Sequence, residues 1–173
     1  MTSVTLRMTT SARQEPFKEI VMYNENLKLS GQLNIVLKDK TGKVKAQREE
    51  KNLVVNSGLE YIASRMTGTS KAVMSHMAVG SGTTAAAATQ TDLVSILGSR
   101  EALDSTTISG TNNEKVVYVA SFEAGDGTGA ITEAGLFNAS TAGDMLCRTT
   151  FSVVNKAADD TMSITWTITL SAS

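Results

Sequence analysis

Thr161-Met162-Ser163-Ile164-Thr165-Trp166-Thr167-Ile168-Thr169-Leu170 alternates without a break. Met162, Ile164, Trp166, Ile168 and Leu170 fall on one side, and Thr161, Ser163, Thr165, Thr167 and Thr169 on the other. Successive side chains of a strand point to opposite faces, so this period of two predicts a strand with one buried face. A slip of one residue would expose Trp166 and bury the threonines, which pins the register. The threonine-lined outer face suits contact with water or with a polar neighbour.

The same pattern runs from Leu27 to Leu37. Leu27, Leu29, Leu33, Ile35 and Leu37 share a face with Gly31, while Lys28, Ser30, Gln32 and Asn34 take the other. Asp39-Lys40-Thr41-Gly42 reads as a hairpin turn, with glycine available for positive φ. Lys43 to Arg48 is the expected return strand, with Val44 and Ala46 inward. Glu49-Glu50-Lys51-Asn52 is read as a solvated edge or loop, and Leu53-Val54-Val55 as a short apolar strand. A helix is expected at about 57–67. Ser57 is a good N-cap and Glu60 completes a capping box. Leu59, Ile62, Ala63 and Met66 form its apolar stripe, and Gly68 ends it.

From Val73 onward the pattern is β. Strands are expected over Val73 to Val79, Val116 to Phe122, Ile131 to Phe137 and Met145 to Val153, and Ala102 to Ile108 reads as extended. Leu93 to Leu97 fits either a short strand or a helical turn. Val116 to Phe122 has β-branched residues on both faces, which marks a central strand. Eight or nine strands joined by short turns, without repeating βαβ units, give a mainly β chain: a β-sandwich, jelly-roll-like, with one short helix. The expected division is an extended N-terminal arm over 1–26 and a sandwich domain over 27–173. Met1 to Gln14 has little apolar content, and Pro16 holds Glu15 extended.

Composition narrows the function classes. The 173 residues carry Lys+Arg 16 against Asp+Glu 17, so no basic excess points to nucleic acid. No apolar run approaches the roughly 20 residues of a membrane helix. Met1 to Gln14 reads as neither secretory signal nor anchor, so synthesis in a cytoplasm is expected. Cys147 is the sole cysteine, expected to be a small buried apolar residue. Of the eight methionines, Met66, Met77, Met145 and Met162 fall on expected apolar faces. Aromatic residues are few for a ligand pocket.

Candidate chemistry is sparse. His76 is the only histidine, which excludes a multi-histidine metal site and leaves one candidate for a Ser-His-Asp triad. Its place in an alternating strand, opposite in phase to Met77 and Val79, favours a surface or partly buried strand residue. Gly80-Ser81-Gly82 and Gly125-Asp126-Gly127-Thr128-Gly129 look like phosphate loops, but neither leads into a helix or a Gly-Lys-Thr/Ser ending, so both read as turns. Glu123, Asp126, Glu133 and Asp144 lie near loops at spacings that match no cation site, and Asp159-Asp160 reads as a turn; all are expected to be surface acids. No catalytic residue, metal ligand or cofactor site is expected. Arg7, Arg13 and Lys18 are candidate partner contacts, because a polar arm has few other means of docking.

One ordered set of segments goes further. Asn56-Ser57-Gly58-Leu59 opens the helix. Met77-Ala78-Val79-Gly80-Ser81-Gly82-Thr83-Thr84 follows, with Ala85 to Ala88 and Thr91-Asp92-Leu93 behind it. Then come Val119-Ala120-Ser121-Phe122, Gly129-Ala130-Ile131-Thr132-Glu133-Ala134-Gly135-Leu136-Phe137 and Met145-Leu146-Cys147-Arg148-Thr149-Thr150-Phe151. Val154-Asn155-Lys156 and Asp160 to Trp166 close it. This order resembles a family of tailed-bacteriophage virion structural proteins, described as head decoration (cement), tail-fibre-like or neck-associated. The resemblance covers about two-thirds of the chain. It implies a sandwich in a symmetric assembly, with no enzyme activity and no cofactor. The first expectation is a capsid decoration protein that bridges and stabilises neighbouring capsid subunits as a homo-oligomer, with a trimer favoured. Its partners would be the major capsid protein, or tail or neck proteins of the same particle, with no nucleic acid and no membrane. It would reside in the virion after synthesis in the host cytoplasm. The alternative is a tail, neck or fibre component anchored by its N-terminal segment. A carbohydrate-binding or hydrolytic domain ranks third, since it would need exposed aromatics or paired carboxylates across a groove.

Overall fold

The computed structural model describes residues 26–68 and 71–172. Ten strands and one helix follow in the order β1 (Leu27–Lys38), β2 (Val44–Lys51), β3 (Leu53–Val54), α1 (Asn56–Met66), β4 (His76–Gly80), β5 (Glu101–Ala102), β6 (Ser105–Ser109), β7 (Lys115–Phe122), β8 (Gly129–Phe137), β9 (Met145–Lys156) and β10 (Thr161–Ala172). They form two five-stranded antiparallel sheets, ordered β2-β1-β10-β7-β6 and β3-β9-β8-β4-β5. The chain is a β-sandwich with one short helix, as its alternating segments require.

β10 lies at the centre of the first sheet. It pairs with β1 over its whole length, from Leu27↔Ala172 to Lys38↔Thr161, and with β7 on its other side. Trp166 therefore sits between Leu33 and Tyr118. Leu33, Ile35 and Leu37 from β1, Met162, Ile164, Trp166 and Ile168 from β10, and Ala120 and Phe122 from β7 meet Met77, Val79, Ile131, Leu136 and Cys147 of the second sheet in one core. Burying such side chains contributes roughly 1.5–3 kcal/mol each, the main term opposing chain entropy. Cys147 is fully buried, and burial pushes its thiol well above the ordinary range.

Several expectations need correction. Val44 is exposed rather than inward. A bulge opposite Leu37 and Lys38 inserts Lys45, so Val44 pairs with the outward-facing Lys38. Of the two readings of Glu49 to Lys51, the edge is the one found: they continue β2, the outermost strand of its sheet. Val73 is exposed ahead of β4. Leu93 to Leu97 is neither strand nor helix; it lies against the sheet through a bridge between Ile96 and Gly80, a bond from Leu97 N–H to the Val79 carbonyl, and the Val94 and Ser95 N–H groups on Glu133. The extended stretch over Ala102 to Ile108 carries parts of β5 and β6, which belong to different sheets.

The helix is where expected, but it is held differently. Val55 is the N-cap, with no side-chain cap bond. The Ser57 hydroxyl instead donates to the Met145 carbonyl at 2.8 Å. Glu60 accepts from Lys71, so no capping box forms. Leu59 and Met66 are 52% and 82% exposed. Gly58 sets this orientation, because a Cβ there would lie 2.1 Å from the Leu146 carbonyl oxygen. The helix backbone thus rests on β9, and Gly58 and Tyr61 face inward while the 59/63/66 stripe faces out. Met66 is surface; Met77, Met145 and Met162 are core filler as expected, joined by Met74.

Candidate docking face and its rigid backing

The two outer faces of the sandwich differ. On the second sheet, the long segment between β4 and β5 covers Ala78, Phe137 and Met145, which with Val55 and Leu93 form a small second core. Gly135 permits this close approach, since a Cβ there would meet Phe137 and Leu93 at about 3 Å. Beneath the same segment lie Glu133 and Arg148, both fully buried.

Arg148 Nη2 stands 2.7 Å from Glu133 Oε2, and Nε donates to the same oxygen at 2.9 Å. The carboxylate also accepts backbone N–H bonds from Gly82, Val94 and Ser95. Arg148 donates onward to the Gln90 side chain and the Thr84 carbonyl. Burial pushes the Glu133 carboxyl up, but the N–H groups of Ser95 and Val94 and the Arg148 guanidinium outweigh it and hold it below the usual carboxylate range. Arg100 closes the far end of the segment. It packs over the Phe137 ring, pairs with Asp92 and donates to the carbonyls of Ala139 and Ala142. A long connection without secondary structure is usually functional or loose. Here charge-assisted bonds tie it down at both ends.

Among the described residues, nothing covers the first sheet's outer face in this way. Its outward residues form cross-strand rows. Lys51, Gln32, Thr167, Val117 and Thr107 make one, and Glu49, Asn34, Thr165, Val119 and Ser105 the next. Hydroxyl and amide groups dominate, and a β10 backbone between two neighbours leaves Thr161, Ser163, Thr165, Thr167 and Thr169 half-buried. Gln32 and Glu49 hydrogen-bond diagonally across two rows. Open clefts of about 390 and 380 Å³ run over this face beside Ser163 and Thr165. A larger one, about 790 Å³, lies where β2 leaves β1, between Lys28, Ser30, Lys51 and Asn52. At that place the Asn52 side chain fills the space above Gly31 and accepts from Trp166 Nε1 at 2.9 Å. The face is broad and largely polar, and its clefts are open rather than enclosed, which suits docking better than holding a small molecule.

The sites anticipated from sequence fall as follows. Arg7, Arg13 and Lys18 lie outside the described residues, as does the arm over 1–26 apart from Asn26. His76 is half-buried at the start of β4, where Nδ1 contacts the hydroxyl of its chain neighbour Ser75 at 2.8 Å. No carboxylate among the described residues bonds its ring. Among the described residues no group of three or more His, Cys, Asp or Glu is placed to hold a metal, and no helix is long and apolar enough to cross a membrane. Gly80 to Gly82 does bind an anion through backbone N–H, but the anion is the protein's own Glu133. Glu133 is therefore a buried clamp and not a surface acid. Asp160 is also buried: it accepts from Ala157 N and from Lys45 at 2.5 Å, which hold its carboxyl low and fix the turn before β10. Asp144 is half-buried and pairs with Lys71.

A scan against protein-family models matches none, and searches of curated proteins and of solved structures return no match.

Proposed function

We propose that this chain is a structural protein of a tailed-bacteriophage particle, a decoration protein that docks on the assembled shell and bridges neighbouring capsid subunits as a homo-oligomer, with a trimer favoured. The observation that carries this reading is the contrast between the two outer faces. One is sealed by a segment clamped on Glu133 and Arg148. The other, uncovered among the described residues, carries hydroxyl and amide side chains on β1 and β10 beside Val117 and Val119 of β7. A stiff body with one wide polar face suits many equivalent contacts on a repeating surface. Each contact adds weakly, and mass action over many copies stabilises the shell. The ordered sequence resemblance supports the same class. The reading assigns the chain no catalysis. A carbohydrate site is disfavoured by Trp166, which lies wholly in the core.

Particles produced without the protein should lose resistance to heat or internal pressure and regain it when the purified protein is added back. Unchanged resistance would count against the decoration role. Copy number separates the alternative position: hundreds per particle fit the shell, whereas a small multiple of three or six places the chain in tail, neck or fibre.

A further inference from the structure

We propose that β6 is an acceptor edge for a second copy of this chain, with Ser105–Ser109 of two protomers pairing antiparallel about a twofold axis at Thr107. Edge strands offer unpaired backbone N–H and C=O groups, and proteins usually blunt them with charge, proline, bulges or brevity. The other edges here carry such devices. β2 bears Lys45, Arg48, Glu49, Glu50 and Lys51 and is bulged at Lys45. β3 and β5 are two residues each. β6 has none of these. Its sequence, Ser-Thr-Thr-Ile-Ser, has no charge and no proline, and it pairs with β7 in unbroken register from Ser105↔Val119 to Ser109↔Lys115. No strand among the described residues lies beyond it.

The side chains name the occupant. Ile108 pairs with Val116 and so faces the core side of the sheet, yet it is 68% exposed. A twofold at Thr107 places Ser105 opposite Ser109 of the second copy and Ile108 opposite its Thr106. The strand is thus nearly self-complementary: small hydroxyls meet across the outer face, and the two Ile108 side chains approach diagonally on the inner one. No charge opposes itself in this register, as it would on β2. Twofold self-pairing is the commonest homomeric contact. Five residues a side form a small contact, below the roughly 1,200 Å² of a stable interface, so the dimer is weak when free. Many copies held side by side on a surface would raise the effective concentration and fill it. The inference does not rest on the particle reading, and a twofold contact can link threefold clusters to one another.

The test uses the full chain in solution. Cysteines at Thr107 would face each other at about 4.5–5.5 Å between Cα atoms, within disulfide reach. Cys147 is buried and does not compete. Mild oxidation of Thr107→Cys should give a covalent dimer, whereas Thr83→Cys on an exposed loop should not. The sedimentation coefficient of the unmodified protein should rise with concentration. Ile108→Lys should weaken that association about tenfold or more by setting charge on the edge. A protein that stays monomeric up to millimolar concentration, with Thr107→Cys cross-linking no better than Thr83→Cys, would assign the edge to another occupant and overturn the proposal.

Discussion

Glu133 and Arg148 meet 2.7 Å apart on the covered side of the second sheet, neither exposing any surface to water. Removing one partner of such a pair strands the other charge in a dry site and costs roughly 3–5 kcal/mol. Glu133→Gln should therefore lower stability by about that amount, which for a protein of this size is a Tm drop of roughly 6–20 °C. Replacing both partners by apolar residues often restores stability elsewhere. Here Glu133→Leu with Arg148→Met should not, because the N–H groups of Gly82, Val94 and Ser95 lose their acceptor. Thermal denaturation of the single and double variants checks this. A double variant as stable as the parent would show that the clamp is dispensable.

The same carboxylate sets the response to acid. Glu133 has a folded-state pKa below its ordinary 4.5, so the unfolded chain binds its proton first as pH falls. Its contribution is complete above about 4.5 and is lost as pH drops through the lower folded value. Asp39 and Asp160 are shifted in the same direction, Asp39 by Thr41 and Asp160 by Lys45. Tm should be flat near neutrality and fall below about pH 4.5. The fall should be shallower in Glu133→Gln, which has no proton to gain there. An equal slope in both proteins would locate the acid sensitivity elsewhere.

Gly31, Asn52 and Trp166 form one coupled unit. A Cβ on residue 31 would sit 1.7 Å from Asn52 Oδ1, the atom that accepts the Trp166 indole N–H. Gly31→Ala should therefore expel the Asn52 side chain and leave a buried donor unpaired, at a cost of about 1–3 kcal/mol. Asn52→Ala should lose the same bond without the clash. Because both remove one interaction, the double variant should be destabilised by clearly less than the sum, with coupling of about 0.5–3 kcal/mol. Urea unfolding of the cycle reads this directly, and strict additivity would dissolve the unit.

The sheets were legible wherever one face meets the core and the other meets water. In β1 and β10 that contrast fixes strand, register and inward set together, and Trp166 falls where its phase demands. Legibility fails where a third element covers the second face. Ile131 to Phe137 shows no alternation because the segment over 81–100 buries its outer side as well. The clamp still left a trace. Glu133 and Arg148 are opposite charges in two apolar stretches on either side of the turn at 138–144, and the hairpin register, with Glu133 opposite Thr150 and Arg148 opposite Gly135, makes them diagonal neighbours. Reading carboxylates by their nearness to loops hid that pairing. Val44 was lost to a one-residue bulge, and the helix face to the close approach at Gly58, neither of which has a signature in periodicity. The arm residues Arg7, Arg13 and Lys18 fall outside the described residues.

If the uncovered sheet face docks on the particle, bulk and charge at its centre should abolish docking and spare the fold. Thr165 and Thr167 lie mid-strand in β10, flanked by Asn34 and Gln32 on one side and by Val119 and Val117 on the other. Thr165→Arg and Thr167→Arg place a long cation on that surface while the inward residues Ile164, Trp166 and Ile168 are untouched. Stability should change by no more than about 1 kcal/mol, since neither position is in the core. Binding to particles stripped of the protein should fall at least about tenfold, the cost expected when a desolvated contact must accept an unpaired charge. Thr83→Arg, on the opposite side of the sandwich, serves as the control and should bind like the parent. Co-sedimentation of each variant with stripped particles measures the outcome. Full occupancy by Thr165→Arg and Thr167→Arg, with loss only in Thr83→Arg, would move the docking surface to the clamped segment over the second sheet.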